Sequence, residues 1–64
     1  MGQYSFGHPN SPQPNDPRFD TLEEAEDAAV TYTLEHPWDS LRAVRRDDDG
    51  AVECLVFEGV AYYP

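Results

Sequence analysis

The sequence predicts an α+β domain: one helix packed on a small antiparallel sheet of two to three strands, preceded by an extended Pro-rich N-terminal arm. Three observations carry that class. Thr21 with Glu24 three residues on is a capping box, and it opens a stretch of helical apolar spacing. Asp49-Gly50 between two apolar runs is a hairpin signal, because Asp-Gly supplies the positive φ of tight turns. Pro37 divides the two patterns, since proline cannot continue a helix.

Residues 1–18 hold four of the six prolines and show no apolar period. They read as a flexible or wrapping arm, because polar Pro-rich sequence does not recover its ordering entropy by burial. Residues 19–64 read as a single small domain expected to fold without residues 1–17. Residues 3–6 add at most an edge strand.

The helix is expected over residues 21–35. Glu23, Glu24, Glu26 and Asp27 fill its first two turns, where the helix dipole favours anions. At about 100° per residue, Leu22, Ala25, Ala28, Ala29 and Tyr32 form one stripe, the expected core face. Val30 and Leu34 fall off that stripe, stack on each other at i,i+4, and lie beside Glu23 and Asp27. A helix with one buried face places polar residues there, so the pair reads as a contact ridge.

Trp38 follows as the expected anchor between helix end and sheet. Strands are expected at residues 41–46 and 51–58, the second with Val52, Cys54 and Val56 on one face and Glu53, Leu55 and Phe57 on the other. Glu58-Gly59 is a further turn signal. Residues 60–63 make a short third strand, or continue the second past a bulge at Gly59.

Charge narrows the function. Residues 19–64 carry twelve Asp and Glu against three Arg, the chain has no lysine, and its net charge is −9. Such a surface disfavours DNA, RNA and anionic membranes as direct partners, because each adds phosphate repulsion. The single cysteine, Cys54, rules out an internal disulfide and a multi-Cys zinc site, and its strand context reads as a small buried hydrophobe. Residues 1–6 lack the basic start and apolar run of a signal peptide. The Met1-Gly2 start is that of a myristoylated chain, but Phe6 stands where Ser or Thr is expected. No apolar run approaches the ~20 residues that span a bilayer. These features give the expectation of a soluble intracellular protein.

Catalysis and metal binding gain no motif. Cys54, His8 and His36 form no recognisable nucleophile–base pattern, and a chain this short leaves little volume for a cleft of ~300 Å3. Asp47-Asp48-Asp49-Gly50 has a Glu, Glu58, at position twelve of a calcium loop. However, Ala51 stands at position five and a strand fills the second half, so the match is accidental. No catalytic residue, metal ligand or cofactor is assigned.

A binding surface is left. Asp20/Glu24 and Glu23/Asp27 place carboxylates about 6 Å apart, near the spacing of successive phosphates on one nucleic-acid strand. With Asp47, Asp48 and Asp49 on a loop tip they present a string of negative charge suited to a basic groove. The partner-binding candidates are therefore Glu23, Glu24, Asp27, Val30, Leu34, Asp47, Asp48 and Asp49.

The run Phe19-Asp-Thr-Leu-Glu-Glu-Ala-Glu-Asp-Ala-Ala, followed by His36-Pro37 and a hairpin, resembles small acidic helix-plus-sheet proteins of phages and mobile elements of GC-rich bacteria. The absence of both Lys and Ile fits that coding bias. The resemblance spans residues 19–57. It implies residence in the host bacterial cytoplasm and an inhibitory role such as that of anti-CRISPR proteins, which bind where a target's nucleic acid belongs. The expectation is thus a non-catalytic acidic inhibitor of a basic nucleic-acid-binding host protein or complex. The alternative is a small phage structural or accessory protein acting through association with itself or another chain.

Overall fold

The computed structural model describes residues 3–64, so the Met1-Gly2 start and its myristoylation reading lie outside the described residues. Five strands and one helix appear in the order β1 (Tyr4–Gly7), β2 (Arg18–Phe19), α1 (Leu22–Glu35), β3 (Leu41–Arg46), β4 (Val52–Phe57) and β5 (Val60–Tyr62). A short 3-10 turn, Pro37–Asp39, joins α1 to β3. All strands form one antiparallel sheet in the spatial order β2-β1-β3-β4-β5, and α1 packs on one face of it. The α+β class stands, but the sheet has five strands where two to three were expected.

The helix starts as its cap dictates. Thr21 is extended, and its Oγ1 accepts the Glu24 backbone N–H at 3.2 Å while donating to the Glu24 carboxylate at 3.1 Å. Replacing Thr21 by Ala removes both bonds and is expected to lower stability by about 1 kcal/mol in a denaturant melt. At the other end His36 closes the helix, its N–H bonding the Tyr32 carbonyl before Pro37.

The core consists of Phe6, Ala25, Ala29, Val44, Cys54 and Val56, flanked by Tyr4, Phe19, Leu22, Ala28, Val30, Tyr32 and Ala61. Ala25 and Ala29 have no exposed surface, so the helix lies close against the sheet. The buried stripe is rotated from the expected one, because Thr33 joins it. Its Oγ1 donates to the Val30 carbonyl at 3.0 Å and accepts the Gly59 N–H at 2.9 Å, which satisfies a polar group in an apolar layer. The rotation draws Val30 to the core margin, half-buried, so Val30 and Leu34 do not form one solvent-facing ridge. Leu34 alone stays out, 63% exposed.

The N-terminal stretch corrects the sequence reading most. Tyr4–Gly7 is an interior strand rather than an edge, paired with β2 on one side and β3 on the other. Phe6 is 8% exposed and its ring meets Phe19 at 6.0 Å and Tyr32 at 5.8 Å. Those residues supply a strand and a core ring, which stands against the expectation of a body independent of its first 17 residues.

Two details set the faces of the sheet. The pairing of β3 with β4 shifts between Val44/Cys54 and Arg45/Val52, leaving Glu53 as the extra residue of a bulge. Val52 consequently parts from Cys54 and Val56 and lies 43% exposed, against the strict alternation expected. Glu58-Gly59 is a true two-residue turn with φ of +50° and +81°, so β5 is a separate strand and Gly59 carries no bulge. Trp38 is not an anchor: it is 80% exposed, with its ring edge-on to that of His36 at 5.5 Å.

Candidate functional site

The topology gathers acidic residues at one end of the molecule. There β3 runs into the Asp loop, β1 begins, and β2 passes into α1. Gln3 ties these together, with its N–H on the Phe19 carbonyl at 2.7 Å and its carbonyl accepting the Asp47 N–H at 2.8 Å. Asp47, Asp48 and Asp49 thereby sit near the helix start that carries Glu23, Glu24 and Asp27. Leu34, by contrast, lies eleven residues along α1 from Glu23, about 16 Å away at 1.5 Å per residue. The eight candidate residues thus divide into an acidic end of six carboxylates and two separate apolar positions, Val30 at the core margin and Leu34 exposed.

Electrostatics also divide the carboxylates. Asp47 binds Arg18 at 3.0 Å. Asp49 binds Arg46 at 3.1 Å and accepts the Ala51 N–H at 3.0 Å, which closes the hairpin turn. The Ala51 N–H first, and then the Arg46 guanidinium, hold the Asp49 carboxyl below its ordinary range, while Asp49 raises Arg46 in return. Glu24 is engaged by Thr21. Among the described residues, Glu23, Asp27 and Asp48 are exposed and have no ion-pair partner. Of the six candidate carboxylates, those three, rather than the whole Asp triplet, are the ones left to a partner.

The remaining arginines are structural. Arg42 is buried beside α1, its guanidinium bonded to the Tyr32 hydroxyl at 3.2 Å and to Asp39, and lying 4.7 Å from the centre of the Tyr32 ring. Arg45 points to the opposite face, where it donates to the carbonyls of His8 and Pro9 and fastens the 8–17 loop across that face. Sequence reasoning assigned neither a role; Arg42 has a near partner in Asp39, three residues back, whereas the partners of Arg45 stand 36 and 37 residues away and leave no local signal.

Shallow hollows accompany this framework, near the small cleft volume for which a chain this short was expected to leave little room. One of about 300 Å3 opens between β1, the 8–17 loop and α1, lined by Phe6, His8, Asp16, Tyr32 and Arg42 among others. Its Tyr32 and Arg42 are committed to each other and to Asp39, and His8 Nδ1 accepts the Asn10 N–H at 3.1 Å. The other, about 270 Å3, is apolar and formed by Val52, Leu55, Tyr62, Tyr63 and Pro64. Cys54 reaches neither. It is buried, and burial first, then Glu26 and Glu53, pushes its thiol to about 11, which keeps it protonated and unreactive near neutrality. Among the described residues no group of three or more His, Cys, Asp or Glu is placed to hold a metal, and no helix is long and apolar enough to cross a membrane.

The outer face of the sheet, opposite α1, carries a signal that the sequence reading passed over. Leu41, Val52, Leu55, Phe57, Val60 and Tyr62 all lie on it and are exposed. The bulge and the short β5 bring them together, which strand alternation alone does not show.

Comparison of the chain with protein-family models, curated proteins and solved structures gave no match.

Proposed function

We propose that this chain is a non-catalytic acidic inhibitor that occupies a basic nucleic-acid-binding surface of a host protein or complex, in the manner of anti-CRISPR proteins. The observation that carries the reading is the acidic end, where the fold sets the unpaired carboxylates of Glu23, Asp27 and Asp48 beside a loop and a helix start of the same sign. Carboxylates on neighbouring helical turns repeat at about the spacing of phosphates, so a groove built for a nucleic-acid backbone recognises them. The resemblance of residues 19–57 to small acidic phage proteins supports the same reading. A second reading, an accessory protein acting through association, is favoured by the exposed apolar outer face of the sheet.

The structure selects the variant for the test. Exchanging all three loop aspartates would also break the Asp49 turn bond and the Asp47–Arg18 pair. The triple variant Glu23→Gln, Asp27→Asn, Asp48→Asn removes charge from exposed positions whose described contacts do not hold the fold. Wild-type chain immobilised as bait should capture a basic nucleic-acid-binding protein from bacterial lysate at low salt, release it at high salt, and displace its nucleic acid. The variant should associate with that protein roughly tenfold more slowly at low salt, with a cooperative melt lowered only by the loss of two anions near the helix start. Capture that ignores both salt and the three substitutions rejects the acidic end as the binding surface.

A further inference from the structure

The outer face of the sheet is half covered. The 8–17 loop crosses its β1 side, held by the Arg45 bonds to His8 and Pro9, and beneath it Ser5, Ala43 and Arg45 are buried. The β4 and β5 side has no such cover. There the register aligns Leu41 with Phe57 and Val60, Leu55 with Tyr62, and Val52 with Arg45, which gives one continuous apolar surface. With Tyr63 beside it, its large side chains are 39–57% exposed.

Three observations identify what this surface meets. The first is area. At ~150–200 Å2 for each such side chain in the open, the seven present on the order of 600 Å2, against roughly 800 Å2 per partner in a standard stable interface. The second is charge. In a chain of net charge −9, Glu53, the half-buried bulge residue next to Val52, is the one carboxylate of β4–β5 that alternation sets with Leu55 and Phe57; the paired positions there are apolar, and Arg45 opposite Val52 is buried and bonded. A basic groove gains nothing here, whereas an apolar surface does. Two copies meeting sheet to sheet, with sheets ~10 Å apart, keep both acidic helices on the outside. Those helices then lie about three layers apart, roughly 30 Å, well beyond the ~8 Å screening length at physiological salt. The third is size. A 64-residue chain whose buried apolar core counts Phe6, two alanines, two valines and a cysteine gains from a second apolar layer.

We propose that the outer sheet face is the interface of a symmetric homodimer, two sheets packed face to face across Leu41, Val52, Leu55, Phe57, Val60 and Tyr62. This places self-association on the layer opposite α1, away from Val30 and Leu34, and it is independent of the role given to the acidic end. A twofold axis lying in the interface plane, parallel to the sheets, makes each patch its own complement. The sheets cross at the roughly 30° angle set by their twist.

Sedimentation equilibrium of the full chain across a range of concentrations tests this. The wild type is expected to show dimer mass, tighter at physiological salt than at ~0.01 M, where the screening length of ~30 Å lets like-charged copies repel. Leu55→Thr with Phe57→Thr keeps strand propensity and removes two central anchors, and should weaken dimerisation by roughly a hundredfold. Val30→Ser with Leu34→Ser should leave the dimer mass unchanged. If the double Thr variant loses its circular dichroism spectrum, Val60→Lys, on the exposed edge strand, is read in its place with the same expectation. A wild type that stays monomeric at every concentration overturns the proposal. So does a dimer that survives the outer-face variants and dissociates in the α1 variant.

Discussion

Removing residues 1–17 is expected to abolish the cooperative unfolding of the chain, followed by far-UV circular dichroism against temperature or denaturant. The segment holds β1, which pairs with β2 and with β3, so its loss breaks two of the four strand pairings. It also removes Phe6, whose ring bridges Phe19 of β2 and Tyr32 of α1. It strips the 8–17 loop from above Ala43 and leaves the buried Arg45 without its carbonyl partners. Unpairing a buried charge is among the costlier changes a fold can suffer. The single substitution Phe6→Ala calibrates the effect at about 3–5 kcal/mol. A domain of this size has only about 3–10 kcal/mol to lose. Phe6→Ala should therefore shift the midpoint severely, and the truncation should leave no transition. A fragment of residues 18–64 that melts cooperatively with its helix intact would falsify the assignment of β1 to the core.

Why that strand escaped the sequence is a matter of distance. The helix announces itself locally, because cap, dipole and apolar period all lie within fifteen residues. The β3–β4 hairpin does so as well, because Asp49-Gly50 sits between the strands it joins. Tyr-Ser-Phe-Gly is too short to show alternation, follows no local turn signal, and pairs with residues some forty positions away. Its polar Pro-rich sequel looks unable to recover its ordering entropy, yet two arginine-to-carbonyl bonds hold the loop across the sheet. Composition weighs burial; it does not see hydrogen bonds made by a distant side chain.

The candidate site was legible in the same uneven way. That carboxylates crowd the helix start and the hairpin tip can be read from the sequence. That the two lie at one end follows only from Gln3 bridging Phe19 and Asp47. Nor does the sequence reveal that Arg18, 29 residues away, claims Asp47 and leaves Asp48 available. The apolar outer face was hidden by the bulge at Glu53, which moves Val52 out of the inward alternation. Leu34 was singled out correctly as non-core, but for a reason different from a ridge with Val30.

That reason leads to the second large effect, at the contact between α1 and the β4–β5 turn. Thr33 is 1% exposed, and its hydroxyl accepts the Gly59 N–H at 2.9 Å. Valine has nearly the same shape and no acceptor, so Thr33→Val leaves that amide unpaired and is expected to cost about 1–3 kcal/mol. Thr33→Ser keeps the bond and should lose only the packing of one methyl group, about 1 kcal/mol. Gly59→Ala attacks the same contact from the other side. Its φ of +81° is strained for any residue with a Cβ, and that Cβ would stand 2.6 Å from Leu34 Cδ2. The expected cost is again about 1–3 kcal/mol. Leu34→Ala in the Gly59→Ala background should recover the steric share and leave the backbone share, since Leu34 is exposed and contributes little to the core. The pair Thr33→Val and Gly59→Ala should fall short of additivity, because each already disrupts what the other removes. Denaturant midpoints for these variants decide the matter. If Thr33→Val is neutral and Thr33→Ser is not, packing rather than the hydrogen bond holds the turn, and Thr33 belongs to the core as an apolar residue in all but name.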